Sequence, residues 1–360
     1  MEAVELSREF WRGKRVLLTG HTGFKGGWLA LWLQRWGAQV SGYALEPSTR
    51  PSLFELARVE EGIDSRIGDL RDLPALLAVV REVKPEIVLH LAAQPLVREA
   101  YRDPLGTYAS NVMGTLHLLE AVRQVGGVRA CVVVTTDKVY ANQEWDWPYR
   151  ENEPLGGHDP YSSSKACCEL LSQSFAVSYF PASRYAEHGL ALATARAGNV
   201  LGGGDFSADR LVPDILAAWT RGERVTLRYP HAVRPWQHAL EPLAGYLQLA
   251  KGLYEQGTAV AGAWNFGPGE GDACTVGDVV ARMAARWPQA PGLQVEPSEL
   301  HEAGLLRLDS SRARRLLGWQ PRWGLDECLQ QTLDWHLAWQ RGEDMRAVTQ
   351  AQLAAYWGQP

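Results

Sequence analysis

The chain has 360 residues, enough for a large core and for two lobes rather than one compact unit. A net charge of -5 and a pI near 6.0 exclude general attraction to nucleic acid or anionic membrane, and leave small anionic ligands as the better fit. The acidic opening "MEAVELSREF" lacks the basic start and apolar run of a secretory signal, and no stretch approaches the roughly 20 apolar residues of a membrane span, so a cytoplasmic protein is expected. The five cysteines, Cys131, Cys167, Cys168, Cys274 and Cys328, show no metal-type spacing, and adjacent Cys167 and Cys168 cannot easily bridge one another; reduced thiols and no metal site are expected.

In chain order, "RVLLTG" (Arg15 to Gly20) predicts a strand. The segment after Gly26 places Leu29, Trp32, Leu33 and Trp36 on one helical face before Gly37 stops it, and "AQVSGYAL" (Ala38 to Leu45) is a second strand. The alternation continues with "RIGDL" near Ile67, a helix over about Leu73 to Glu82, "EIVLHLAA" from Glu86, a helix over about Asn111 to Val125, and "ACVVVTT" from Ala130. Continuous apolar strands are covered on both faces, so a doubly wound α/β parallel sheet follows. After about Val200 the rhythm breaks. A smaller C-terminal lobe over residues 200–360 is expected on a cofactor lobe of residues 1–199, with a return segment to the first lobe near 235–270 that includes "WNFGP".

"TGHTGFKGG" sets Gly20, Gly23 and Gly26 three apart between a strand and a helix. Glycines there permit a tight turn and close backbone approach to a pyrophosphate resting on the helix N-terminus. Glu46 stands at about the right distance to bind a ribose 2'-hydroxyl, or is a solvated turn residue; it favours NAD over NADP, with nearby Arg50 pointing the other way. In "YSSSK", the spacing of four puts Tyr161 and Lys165 on one helical face, where the cation can lower the phenol's pKa and make it a base for an alcohol. "VTTDKVY" adds a hydroxyl, a carboxylate and an ammonium, Thr136, Asp137 and Lys138, at the end of a strand.

These motifs, with "HLAAQPLVREAY", "ARAGNVLGGGDF", "DRLVPD" and "VRPWQHALEPL", resemble the extended short-chain dehydrogenase/reductase family, and within it the nucleotide-sugar 4,6-dehydratases of the CDP-glucose branch. The resemblance runs from about Phe10 to about Trp335; the segment after Arg341 adds nothing recognisable. It implies a Rossmann fold, NAD as cofactor, CDP-glucose as substrate, deoxysugar biosynthesis, and a homodimer packed through the helices near Asn111 to Val125 and Tyr161 to Tyr179. Tyr161 would take the 4-hydroxyl proton, Thr136 would bond near the same oxygen, Asp137 would be the acid at the 6-hydroxyl, and Lys138 would serve C5. Lys138 acts either as a neutral base or as a cation stabilising the C4 enolate. The resemblance places Gly20, Gly23, Phe24, Lys25 and Gly26, then Leu91, Ala92 and Ala93, with Tyr161 and Lys165, along the cofactor cleft. Asp69 and Leu70 would flank adenine, with helix capping as the competing role for Asp69. Asn199, Arg234 and Asn265 would hold the sugar nucleotide's pyrophosphate, and Asn111 would support the active site. His21, Gln94 and His238 fit structural hydrogen bonding. The alternatives are a nucleotide-sugar 4-epimerase, which does not need the Asp137-Lys138 pair, and a non-catalytic NAD-sensing protein, which needs neither Tyr161 nor Lys165.

Overall fold

The computed structural model describes residues 4–296 and 305–358. Its frame is a seven-stranded sheet, every neighbouring pair parallel. In chain order the strands are β1 (Arg15–Thr19), β2 (Gln39–Ala44), β3 (Asp64–Ile67), β4 (Ile87–His90), β5 (Ala130–Val134), β6 (Ala191–Ala197) and a seventh, Gly262–Phe266. In space the order is seventh, β6, β5, β4, β1, β2, β3. The central strands read as unbroken apolar runs because both faces are buried: Val16, Leu18, Leu89 and Val132 face one core, while Leu17, Val88 and Val133 face the other. The order reverses between β1 and β4, and there the carboxyl ends leave a crevice.

The helix Phe24–Arg35 follows β1, and Leu73–Val83 precedes β4 with its N-terminus capped by Asp72. The expected helix before β5 is regular over Gly114–Val125, but its first turn, Ala109–Met113, is π-helical. The Asn111 carbonyl there accepts from Thr115 and Cys168, while its side chain reaches Gln94 and Ser164, a side-chain competition that widens the turn.

Beyond residue 200 the chain divides its packing. Helices Leu211–Thr220 and Val276–Ala284 and part of Leu325–Gln340 enclose a separate core around Ile215, Trp219, Met283 and Leu329. By contrast, the helix Leu240–Gln256 and the seventh strand belong to the sheet's core, as does the helix Met345–Trp357, where Tyr356 and Trp357 pack on Trp32. The C-terminal segment after Arg341, unreadable as a motif, is therefore part of the large lobe's packing.

One buried ion pair ties this frame together. Glu169, on the helix Pro160–Ser178, meets Arg196 of β6 at 2.8 Å, and both side chains are 3% exposed. The same carboxylate accepts from Thr135 at 2.5 Å and Thr194 at 2.6 Å. Removing one partner of such a pair strands an uncompensated charge, so E169A should lower unfolding free energy by about 3–5 kcal/mol in denaturant titration. A loss below about 1 kcal/mol would contradict this.

Candidate functional site

A cavity of about 1130 Å³ runs along the carboxyl ends of the strands, from the glycine turn to the second lobe. At one end, Gly20 has φ +82°, and a Cβ there would lie 2.7 Å from the Ala92 nitrogen. A Cβ on Gly26 would lie 1.9 Å from the Gly20 carbonyl. These two glycines let β1, the turn and the segment after β4 close on one another. Gly23 is the N-cap of Phe24–Arg35 without any side-chain cap, so the free N–H groups of a twelve-residue helix open towards the cavity with no acidic residue in the first turn. That is a cradle suited to an anion, and a dinucleotide pyrophosphate fits it.

Phe24 and Lys25 line the same end. The Lys25 ammonium donates to the Tyr246 hydroxyl at 3.1 Å, and burial, reinforced by Arg210 and Lys165, draws its pKa down to about 7. Leu91, Ala92 and Ala93 form the floor after β4, with Ala92 N–H bonded to Thr19 Oγ1 at 3.2 Å. Asp69 and Leu70 line the cavity as well. Asp69 spends its carboxylate on Arg71, at 2.6 Å, and helix capping falls to Asp72 instead. Glu46 is an exposed lining residue, whereas Arg50 lies outside the lining and pairs with Glu55 at 3.7 Å.

In the middle, β5 delivers Thr136, Asp137 and Lys138, and the helix Pro160–Ser178, capped by Asp159, delivers Tyr161 and Lys165. Thr136 Oγ1 donates to Asp137 Oδ1 at 2.9 Å and also accepts from the Lys138 N–H at 3.4 Å. Asp137 is 2% exposed, and burial holds its carboxyl above the usual range against the opposing pull of Lys138 and Thr136. Lys165 Nζ donates to the Val134 carbonyl at 3.0 Å, pinning the helix to the end of β5. The expected lowering of the Tyr161 pKa by Lys165 is not what the free chain shows. Burial pushes the phenol up to about 12, with the neighbouring Thr136 hydroxyl pulling the other way, and burial lowers Lys165 itself.

Asn199 and Arg234 line the cavity beyond this centre. Asn265 does not: it is fully buried, its carbonyl oxygen accepts from Tyr140 at 2.7 Å, and its amide donates to the backbone oxygens of Tyr149 and Asp309. Its expected pyrophosphate contact is corrected to a structural one. Asn111 holds the Gln94 backbone and Ser164, beside Lys165. His21 bonds Ser65, and His238 packs against Trp28 and Trp323, its pKa drawn down to about 3 by burial.

Sequence reasoning missed the network beneath the centre. Tyr140 links Arg196, at 2.8 Å, to Asn265, and so joins the Glu169 cluster to the segment around Tyr149. The readable signal was an arginine, two residues after a threonine, in the otherwise apolar strand "ALATARA". It also missed the polar residues at the far end, Arg98, Asp209, Asp214 and Arg228, which only the fold assembles.

The parallel sheet, the glycine turn and the Tyr161/Lys165 pair in one crevice define an extended short-chain dehydrogenase/reductase. The chain belongs to the GDP-mannose 4,6-dehydratase family, whose model matches residues 17–332. It is 52% identical over 352 residues to the CDP-glucose 4,6-dehydratase of Salmonella typhimurium, covering 98% of each chain. Among solved structures it is similar to MoeE5 in complex with UDP-glucose and NAD, at a TM-score of 0.76 and 25% identity over 92% of this chain and 99% of that one. The UDP-glucose 4-epimerase of Stenotrophomonas maltophila with bound NAD superposes at a TM-score of 0.79 and 23% identity, covering 91% of this chain and 99% of the other, a likeness of fold.

The turn geometry gives a test. G26A forces its methyl group into the Gly20 carbonyl. It should weaken NAD binding at least tenfold by calorimetry and destabilise the chain by about 1–3 kcal/mol; unchanged binding would contradict the cradle.

Proposed function

We propose that this protein is an NAD-dependent CDP-glucose 4,6-dehydratase, converting CDP-D-glucose to CDP-4-dehydro-6-deoxy-D-glucose and water. The observation that carries the reading is the meeting of Thr136, Asp137 and Lys138 with Tyr161 in one cavity. A 4-epimerase needs the phenol but has no use for a buried acid directly after Thr136, and an NAD sensor has no use for either. The 52% identity to a CDP-glucose 4,6-dehydratase supports the choice of sugar nucleotide.

NAD, when bound, supplies the hydride acceptor for C4 and the donor for C6. Gly20, Gly23, Phe24, Lys25 and Gly26 would hold it with Leu91 to Ala93, and Asp69 and Leu70 would flank its adenine. Glu46 at the lip, with Arg50 turned away to Glu55, favours NAD over NADP.

Tyr161 removes the proton of the sugar 4-hydroxyl, with Thr136 lining the same cavity and placed to hold the same oxygen. The resulting 4-ketone acidifies the C5 hydrogen. Asp137, kept protonated by burial, gives its proton to the 6-hydroxyl, which leaves as water. Lys138, half-buried beside it, serves C5 either as a neutral amine that takes its proton, or as a cation that stabilises the C4 enolate while water takes that proton. Asn199 and Arg234 bind the pyrophosphate, the guanidinium offering several donors to its oxygens.

The same reading includes a homodimer. Leu105, Met113, Leu170, Val177 and Tyr179 are exposed on or beside the adjacent helices that lead to Val125 and Ser178. An apolar face of this kind suits a second copy across a two-fold axis.

Incubated with NAD, the protein should remove one water from CDP-glucose far faster than from dTDP-glucose, UDP-glucose or GDP-mannose; a product of unchanged mass would contradict the reading. D137N should still reduce its cofactor but lose water at least a hundredfold more slowly. Because burial raises the Asp137 pKa, the acid form persists above the ordinary carboxylate range, and water loss should slow as pH rises through the raised value. Water loss by D137N at the parent rate would remove Asp137 as the acid. L170E with V177E should give a monomer in sedimentation velocity where the parent gives a dimer.

A further inference from the structure

The cavity's far arm is walled by the loop before Leu211, the first turn of the helix Leu211–Thr220, and the strand Val225–Leu227 with Arg228 beyond it. Three carboxylates line this arm. Asp205 is engaged by Arg210 at 2.9 Å and by the Ser207 N–H. Asp209 bridges the lobes, meeting Arg98 at 3.1 Å and Arg228 at 3.3 Å. Asp214 is different. Among the described residues no arginine or lysine reaches its carboxylate at ion-pair distance, Arg98 and Arg228 both pairing with Asp209 instead. Burial, and then Asp209, push its pKa up to about 6.

A partly buried carboxylate with spare acceptor capacity is unfavourable in a cavity that takes a diphosphate, unless the ligand brings a neutral donor to it. Among the pyrimidine bases only cytosine carries an exocyclic amine, at the 4-position. Its edge reads donor, acceptor, acceptor, which complements a carboxylate beside an arginine such as Arg228. Uracil and thymine would turn their 4-oxygen to the carboxylate, acceptor against acceptor. We propose that Asp214 selects the base of the sugar nucleotide, its carboxylate accepting a hydrogen bond from the 4-amino group of cytosine. This rests on the CDP-glucose reading above and names the residue that enforces it.

The test compares kcat/KM for CDP-glucose and UDP-glucose in the parent, D214N and D214A. The value for CDP-glucose should fall by about ten- to a hundredfold, mostly through KM, while that for UDP-glucose holds or rises. Equal losses for both substrates, the signature of a merely structural role, would overturn the assignment and leave the function standing. A parent without preference for CDP-glucose would overturn both. A measurement without variants gives the same decision: the 5'-diphosphate of pyrimidin-2-one riboside, which lacks the 4-amino group, should inhibit the parent at least tenfold more weakly than CDP, and equal inhibition would overturn the proposal.

Discussion

The carboxylate of Glu169 is the point from which the active centre is built. It receives Thr135 from the end of β5, Thr194 and Arg196 from β6, and it rides on the helix that carries Tyr161 and Lys165. Thr136, Asp137 and Lys138 begin one residue after Thr135. The two halves of the proposed chemistry, phenol on a helix and acid with ammonium on a strand end, are thus fixed to one buried charge. The bond from Lys165 to the Val134 carbonyl closes the same triangle a turn earlier.

Burial then sets the direction in which each group is tuned. It raises Asp137 and Tyr161 and lowers Lys165, so all three are pushed towards their neutral forms. For Asp137 this direction suits an acid that must hold its proton until the 6-hydroxyl leaves. For Tyr161 it opposes the proposed role as base, and the neighbouring Thr136 hydroxyl is the opposing influence already in place. A dry centre therefore needs positive charge close to the phenol before it can act as a base.

Much of this was legible in the sequence, for identifiable reasons. Strands buried on both faces must be continuous apolar runs, so β1, β4 and β5 declare themselves, and the glycine turn announces the crevice between β1 and β4. The spacing of Tyr161 and Lys165 survives translation into structure because a helix fixes it locally. What distance along the chain conceals is tertiary pairing. Asn265 sits in a motif at a strand end, yet its side chain turns into the Tyr140 network rather than the cavity. Trp32 gives no hint that its partners are Tyr356 and Trp357, and Asp214 gains meaning only when the fold sets it in the cavity beside Asp209, which takes up both Arg98 and Arg228.

The most direct test of the account follows one atom. CDP-glucose carrying deuterium at C4, turned over with NAD in ordinary water, should give a product lighter by one water that retains the label at C6, because the hydride taken from C4 is the one returned. A product of unchanged mass, with the label still at C4 and the hydroxyl inverted, would mean that Asp137 and Lys138 perform no elimination and that the centre is an epimerase.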